Sequence, residues 1–305
     1  MVRQNAMNVA KMLVIGALTI DIISNKVSIG GPAYFITLSL AYLDLMPTVI
    51  TNSYELLSVI KQARIGKRVY APRDGTVFIF EIEEAGRSRE LRLVKKAPSV
   101  DSLIRNLINE WVSSNVRFNV AIVSPVFNEV SCEVVAELKR VADYIVVDIQ
   151  GFVRKCEGDQ RCKVVVDEQQ FYRLMRILTG SVSLIRGELL EFPKECRGAN
   201  IRSCISGTVD VVQTNGPGDM YVYLSELDKV TKLRPLPGIE GSSIGAGDVF
   251  TGVLAYFIAK GFDLLSACAR AAIAAGLKVA RSNVPWFTLS ELEMLSYKVL
   301  KQIRF

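Results

Sequence analysis

Ile244-Gly245-Ala246-Gly247-Asp248-Val249-Phe250-Thr251-Gly252 joins a glycine turn to an apolar run of small residues, Val249 to Ala259. That run reads as a buried helix. Gly245 and Gly247 have no side chain to block an anion approaching the backbone. A helix start aims unbonded N–H groups and the positive end of its dipole at the same spot. Asp248 stands beside them. A carboxylate facing a bound phosphate is costly unless it has a task. The natural task is to accept the proton of a hydroxyl that attacks the phosphate. A plain tight turn with an aspartate N-cap would show the same residues, so this chemistry needs support from the rest of the chain.

Groups with such roles need rigid elements to hold them. Met12 to Ile15 reads as a buried first strand ending at Gly16, and Thr19 to Ile23 continues extended and carries Asp21. Gly30-Gly31 then breaks the chain, and Pro32 suits the first turn of a helix over Ala33 to Leu43. Thr48 to Thr51 predicts a second strand, followed by a helix around Tyr54 to Ala63. Thr76 to Ile82 and Leu91 to Val94 alternate about a polar stretch containing Gly86, which predicts a hairpin. A hairpin that interrupts the β/α rhythm reads as a flap outside the main sheet. Further strands are expected at Val120 to Val123, Tyr144 to Val147, Ser183 to Ile185 and Val209 to Gln213. Helices are expected between them at Val100 to Ser113, Val130 to Val141 and Asp167 to Thr179. Met220 to Leu224 and Lys229 to Leu233 read as antiparallel strands at a sheet edge. Three helices close the chain, Asp248 to Lys260, Leu264 to Arg281 and Leu289 to Ile303. This alternation implies a mainly parallel sheet covered on both faces, with ligands bound beyond the carboxyl ends of its strands.

Composition narrows the chemistry. The 305 residues contain no histidine, which excludes Ser-His-Asp and Cys-His catalysis and histidine-ligated zinc. Six cysteines form no C-x-x-C pair, so a zinc ribbon is not expected. Cys156 and Cys162, and Cys196 and Cys204, are close enough in sequence to close small disulfide loops, but free thiols are the expectation for a cytoplasmic chain. Half the residues are hydrophobic, so a large core is feasible. No apolar run reaches the roughly 18 to 20 residues needed to span a bilayer, and residues 1 to 11 lack the apolar stretch of a signal peptide. A cytoplasmic protein with no membrane partner is expected. The net charge of +6 comes without a stripe of interleaved basic and aromatic residues, so nucleic acid is not an expected partner. Absent histidine with abundant Ile, Val and Arg fits a thermophile.

Ser243-Ile244-Gly245-Ala246-Gly247-Asp248-Val249-Phe250 resembles the C-terminal signature of the ribokinase-like (PfkB) carbohydrate kinases. The resemblance runs in family order along nearly the whole chain. It implies a three-layer α/β/α domain over residues 1–305, with a small β lid built from about 21–29 and 76–94. It makes Asp248 the base, and gives the Gly245, Ala246 and Gly247 amides the developing phosphate charge. An early aspartate and glycine pair in this family hold acceptor hydroxyls, a role that falls on Asp21, Gly30 and Gly31. A carboxylate accepts two hydroxyl bonds, and bare backbone lets a polyol ring come close. Tyr34 and Phe35 follow the glycines where an asparagine is usual, which resembles the branch containing myo-inositol kinases. Asp148-Ile149-Gln150-Gly151-Phe152-Val153-Arg154 resembles that branch too and adds Gln150 and Arg154 to the acceptor side. Asn128, in a loop at another strand end, is a further candidate there.

On the nucleotide side the resemblance places Arg186, Thr214, Gly216 and Gly218, then Gly241 and Ser243, and Asn283 near the base. Glu191 falls on the glutamate of an Asn-x-x-Glu motif that organises magnesium and phosphate through water. Its asparagine is replaced here by Glu188, and two carboxylates at this spacing could still hold hydrated Mg2+. The expected reaction moves the γ-phosphoryl group of ATP to a hydroxyl of a small polyol or sugar, with Mg2+ and a monovalent cation as the ions implied. A homodimer through lid strands is also implied. A nucleoside kinase and a non-catalytic sugar- or nucleotide-binding regulator on the same fold remain open. A dinucleotide-dependent dehydrogenase is disfavoured, because Gly16-Ala17-Leu18-Thr19 lacks the Gly-x-Gly-x-x-Gly turn.

Overall fold

The structure is a computed structural model and describes residues 10–53, 67–85, 88–159, 161–205, 207–237, 239–281 and 283–301. The expected helix around Tyr54 to Ala63 and the end of the last helix at Ile303 lie outside these residues.

Among the described residues, nine strands form the main sheet. They are β1 (Met12–Gly16), β4 (Thr48–Ile50), β5 (Arg68–Tyr70), β8 (Phe118–Ser124), β9 (Ala142–Asp148), β12 (Leu184–Glu188), β13 (Asp210–Thr214), β14 (Met220–Leu224) and β15 (Lys229–Leu233). Their spatial order is β15-β14-β13-β12-β9-β8-β1-β4-β5. The seven from β13 to β5 run parallel, and β14 and β15 are antiparallel at the edge. Every residue of β1 is buried, which is why that strand reads as an unbroken apolar run rather than an alternating one.

Helices cover both faces. On one lie α1 (Pro32–Ala41), α5 (Ala246–Ala259), α6 (Leu264–Ala280) and α7 (Leu289–Leu300). On the other lie α2 (Asp101–Ser113), α3 (Cys132–Glu137) and α4 (Glu168–Leu178). Helix α5 is buried at every residue from Val249 to Phe257, because the sheet, α1 and α6 enclose it. A side chain of Val, Leu or Phe buried there stabilises the fold by about 1.5–3 kcal/mol, so the start of α5 is held firmly. The helix expected over Val130 to Val141 is shorter. Ser131 caps α3 by accepting the Val134 N–H, and the chain tightens into a 3-10 turn at Leu138–Arg140.

The second sheet has six strands in the order β10-β11-β7-β6-β2-β3. They are β2 (Thr19–Ile23), β3 (Lys26–Gly30), β6 (Phe78–Ala85), β7 (Ser88–Lys95), β10 (Arg154–Glu157) and β11 (Cys162–Val166). Besides strands from the expected lid segments, this sheet contains β10 and β11. Neither alternates clearly, β10 being mostly charged and β11 ending in three consecutive valines. Asn52 pins the crossing between the sheets. Its side chain accepts from Leu18 N–H (2.8 Å) and donates to Leu18 O (3.2 Å) and Thr76 O (3.0 Å).

The expectation of free thiols is corrected at both close pairs. Cys156 is bonded to Cys162 and Cys196 to Cys204, with Cα separations of 5.3 and 5.6 Å, which suit disulfides without backbone movement. Cys132 and Cys268 remain free. No helix among the described residues is long and apolar enough to cross a membrane.

Candidate active site

A cavity of about 400 Å³ opens where the lid overhangs the carboxyl ends of β8, β9 and β12. Its volume falls within the roughly 300–1,000 Å³ of small-molecule sites. The lid contributes Thr19, Asp21, Phe80, Ile82 and Leu91, and the start of α1 contributes Pro32 and Phe35. Arg186 and Glu188 come from the end of β12 and Arg154 from the start of β10, while Gln150 and Glu191 follow β9 and β12. Ser243, Gly245, Gly247 and Asp248 come from the turn into α5. Eleven of the expected site residues, Gly31 included, thus share one cavity although they span more than 200 positions of sequence.

The α5 turn is set by Gly245, whose φ of 75° is left-handed. A Cβ there would also lie 2.6 Å from the Phe35 ring. No side chain caps the helix, so its first-turn N–H groups and dipole face the cavity side. Ala246 departs from expectation. Its N–H donates to Ser243 O (3.0 Å), closing the turn, and Ala246 is not in the cavity wall. Gly245 and Gly247 do line the cavity.

Beneath Gly247 lies a guanidinium. Arg186 is 3 % exposed and donates from Nη1 to Asp148 Oδ2 (2.7 Å) and from Nη2 to Thr214 Oγ1 (2.7 Å). A Cβ on Gly247 would stand 3.0 Å from Nη2, so this glycine also makes room for the arginine. Asp148 is fully buried. It also accepts from Gln150 N–H (3.1 Å) and from the Thr251 hydroxyl (3.2 Å), which shares its proton with Gly247 O (3.0 Å). One carboxylate thus ties β9, β12 and α5 together under the cavity floor. Arg186 Nε is buried with no hydrogen-bond partner among the described residues. A donor left unmade in a buried guanidinium fits an anionic ligand oxygen.

Across the cavity, Asp21 is 6 % exposed and accepts from Thr19 Oγ1 (2.8 Å). Gly30 does not line the cavity but is required beside it, because a Cβ there would fall 2.1 Å from Asp21 Oδ2. Asn128, at φ 55°, donates from Nδ2 to Arg154 O (2.8 Å), while Arg154 Nη1 donates to Val126 O (3.0 Å). Asn128 therefore holds the backbone of Arg154 rather than reaching the cavity. No sequence motif points to Glu129. Its carboxylate is 1 % exposed and accepts the Val126 and Phe127 N–H groups (2.8 Å each), with burial pushing its pKa up. It shapes the loop that receives Arg154.

Glu191 is buried and forms a capping box with Glu188, accepting the Glu188 N–H (2.7 Å). Burial first, then the charges of Asp148 and Glu188, push its pKa up to about 8. Crowded carboxylates of this kind suit a divalent cation nearby. Among the described residues no group of three or more His, Cys, Asp or Glu side chains is arranged to hold a metal directly.

The remaining nucleotide-side residues stand outside the cavity wall. Thr214 spends its hydroxyl on Arg186 and on Gly187 O (3.4 Å). Gly216 and Gly218 form the turn between β13 and β14, closed by Gly218 N–H to Asn215 O (2.7 Å). Gly241 and Asn283 are exposed.

No protein-family model and no curated protein sequence matches the chain. Solved structures do. A sulfate complex of a pyrophosphate-dependent kinase in the ribokinase family aligns with a TM-score of 0.68 at 18% identity, over 93% of this chain and 99% of that one. A pyrophosphate-dependent myo-inositol-1 kinase variant aligns at 0.65 and 20% identity, over 95% and 99%. Ribokinase from Giardia lamblia aligns at 0.67 and 14% identity, over 93% and 99%. The fold and its site define an α/β protein with a lidded cleft. The chain has the ribokinase-like fold.

Proposed function

We propose that the chain is a ribokinase-like kinase that moves a terminal phosphoryl group to a hydroxyl of a small polyol or sugar. The observation that carries this reading is the meeting of Asp248, the uncapped start of α5 and the buried Asp21 in one cavity. A helix start binds anions, a buried carboxylate binds hydroxyls, and Asp248, in the first turn of that helix, lines the same cavity.

Asp21, Gln150 and Arg154 orient the acceptor. Asp248 takes the proton of the attacking hydroxyl as the new O–P bond forms and the bond from phosphorus to the donor's bridging oxygen breaks, the shortened donor leaving with that electron pair, because an ordinary alcohol is not ionised beforehand. The Gly245 and Gly247 amides face the charge growing on the transferred group. Preorganised donors of this kind contribute roughly 3–4 kcal/mol each. Arg186, oriented by Asp148 and Thr214, adds a fixed positive charge under the same backbone. Magnesium, placed through water by Glu188 and Glu191, would supply neutralisation of the donor phosphates. The lid excludes water, the competing acceptor.

A cyclic polyol such as myo-inositol is the acceptor we favour, and ATP the donor. Solved structures of similar fold are described as pyrophosphate-dependent kinases, so pyrophosphate belongs in the test. The lid ends on β3, where Val27 is 70% exposed, and a homodimer through lid strands is the assembly that goes with this reading. The deciding experiment is a phosphoryl-transfer screen of myo-inositol, other polyols, sugars and nucleosides against ATP and pyrophosphate. Phosphorylation of a polyol or sugar supports the proposal. Product from nucleosides alone, or binding with no product from any pair, overturns it.

A further inference from the structure

Near the end of α6 a charge is buried that none of the steps above uses. Lys278 is 8% exposed, and its ammonium donates to Ser242 O (3.1 Å) and to Ile244 O. These carbonyls flank Ser243, in the segment that turns at Gly245 and opens α5. Nζ also lies 5.6 Å from the centre of the Phe35 ring, the same ring that occupies the space a Cβ on Gly245 would need. Lys278 therefore stacks behind Phe35 and Gly245, which line the cavity.

The other inward residues of α6 are small and apolar, Ala267, Cys268, Ala271, Ile273 and Ala274. An ammonium among them costs several kcal/mol in lost hydration, an outlay that packing alone does not require. Two carbonyl oxygens directed at one point repel each other unless a cation lies between them. Charge-assisted bonds to both, an aromatic face alongside and a place in the last turn of a helix all favour the charge here.

We propose that Lys278 is a positioning residue and the resident cation of this turn. Its ammonium holds the Ser242 and Ile244 carbonyls together and so fixes the backbone that presents the Gly245 and Gly247 amides. On this reading the ammonium does in this turn what a bound monovalent ion would otherwise do. For turnover this inference rests on the proposed phosphoryl transfer. For ion binding it stands apart from it.

The test compares wild type, Lys278→Ala and Lys278→Met in choline, potassium and ammonium chlorides at equal ionic strength. In wild type, exchanging choline for potassium or ammonium should change neither Tm nor kcat. Lys278→Ala should lose about 10- to 100-fold in kcat, the scale of a misplaced reacting group, while KM for the acceptor stays within about threefold. Potassium or ammonium, but not choline, should raise its Tm and return part of kcat. Lys278→Met fills the same space with an apolar chain and should show neither gain. Potassium-dependent wild-type turnover, full kcat in Lys278→Ala, or absence of an ion-specific Tm gain in Lys278→Ala would each overturn the assignment. The Tm arm needs no substrate. An inactive wild type with a potassium-stabilised Lys278→Ala defeats the proposed function and leaves the resident cation standing.

Discussion

Replacing Arg186 with methionine tests the floor of the site. The variant keeps a stem of similar length but loses the 2.7 Å bonds to Asp148 and to Thr214. Asp148 has no solvent to turn to, being fully buried. Deleting one partner of a buried ion pair costs about 3–5 kcal/mol. The Gln150 N–H and Thr251 hydroxyl still reach Asp148 at 3.1 and 3.2 Å. They offset part of the loss at about 1 kcal/mol each, so about 1–3 kcal/mol is expected. Asp148→Asn alone leaves a buried guanidinium with a neutral acceptor and should cost about 2 kcal/mol. If the pair is one unit, the double variant should be less destabilised than the sum of the singles by at least about 1 kcal/mol. Urea unfolding followed by circular dichroism at pH 7 reads all four proteins. Additivity within about 0.5 kcal/mol would refute the coupling. So would an Arg186→Met cost below about 1 kcal/mol, since a buried pair that is broken this cheaply is not desolvated.

Three more outcomes follow from single features. Gly30→Ala places a methyl 2.1 Å from Asp21 Oδ2, so acceptor KM should rise about tenfold or more, the scale of a lost charged hydrogen bond. An unchanged KM removes Asp21 from the acceptor side. The Glu191 carboxyl rises from 4.5 to about 8 on folding. The folded state therefore holds an extra proton between those values, and this group's contribution to stability falls as pH rises through that window. Wild type should lose more stability than Glu191→Gln between pH 5 and pH 9 in urea melts, and equal slopes would contradict the burial. Alkylation of the denatured, unreduced chain should label Cys132 and Cys268 only, whereas labelling of all six contradicts both disulfides. Reduction should cost about 2–3 kcal/mol per loop of this length.

Much of the fold was legible because it is periodic. The apolar runs at Met12 to Gly16 and Val249 to Ala259 announce elements buried on both sides, and the β6–β7 hairpin announces itself by alternation about a glycine. Strands β10 and β11 were not legible, because Arg154 to Glu157 is polar and gains its strand character only by pairing with β11. The site was legible where chemistry and local geometry coincide, as at Gly245, Gly247, Asp248, Asp21 and Gly30. It was not legible where a residue acts by burial across long sequence distance. Asp148 meets Arg186 38 residues on and Thr251 103 residues on. Glu129 and Lys278 look like ordinary surface charges until the loops around them close. The two disulfides sit at spacings that free thiols share, and only the paired backbones distinguish the cases.

The central claim is that Asp248 takes the acceptor's proton as phosphorus moves. The most direct measurement is the single-turnover rate of phosphoryl transfer in Asp248→Asn, with folding checked by circular dichroism and acceptor binding by calorimetry. Binding and fold should persist while the rate falls by about 10²- to 10⁴-fold, the usual contribution of a positioned base. A variant that transfers phosphate at the wild-type rate would contradict it.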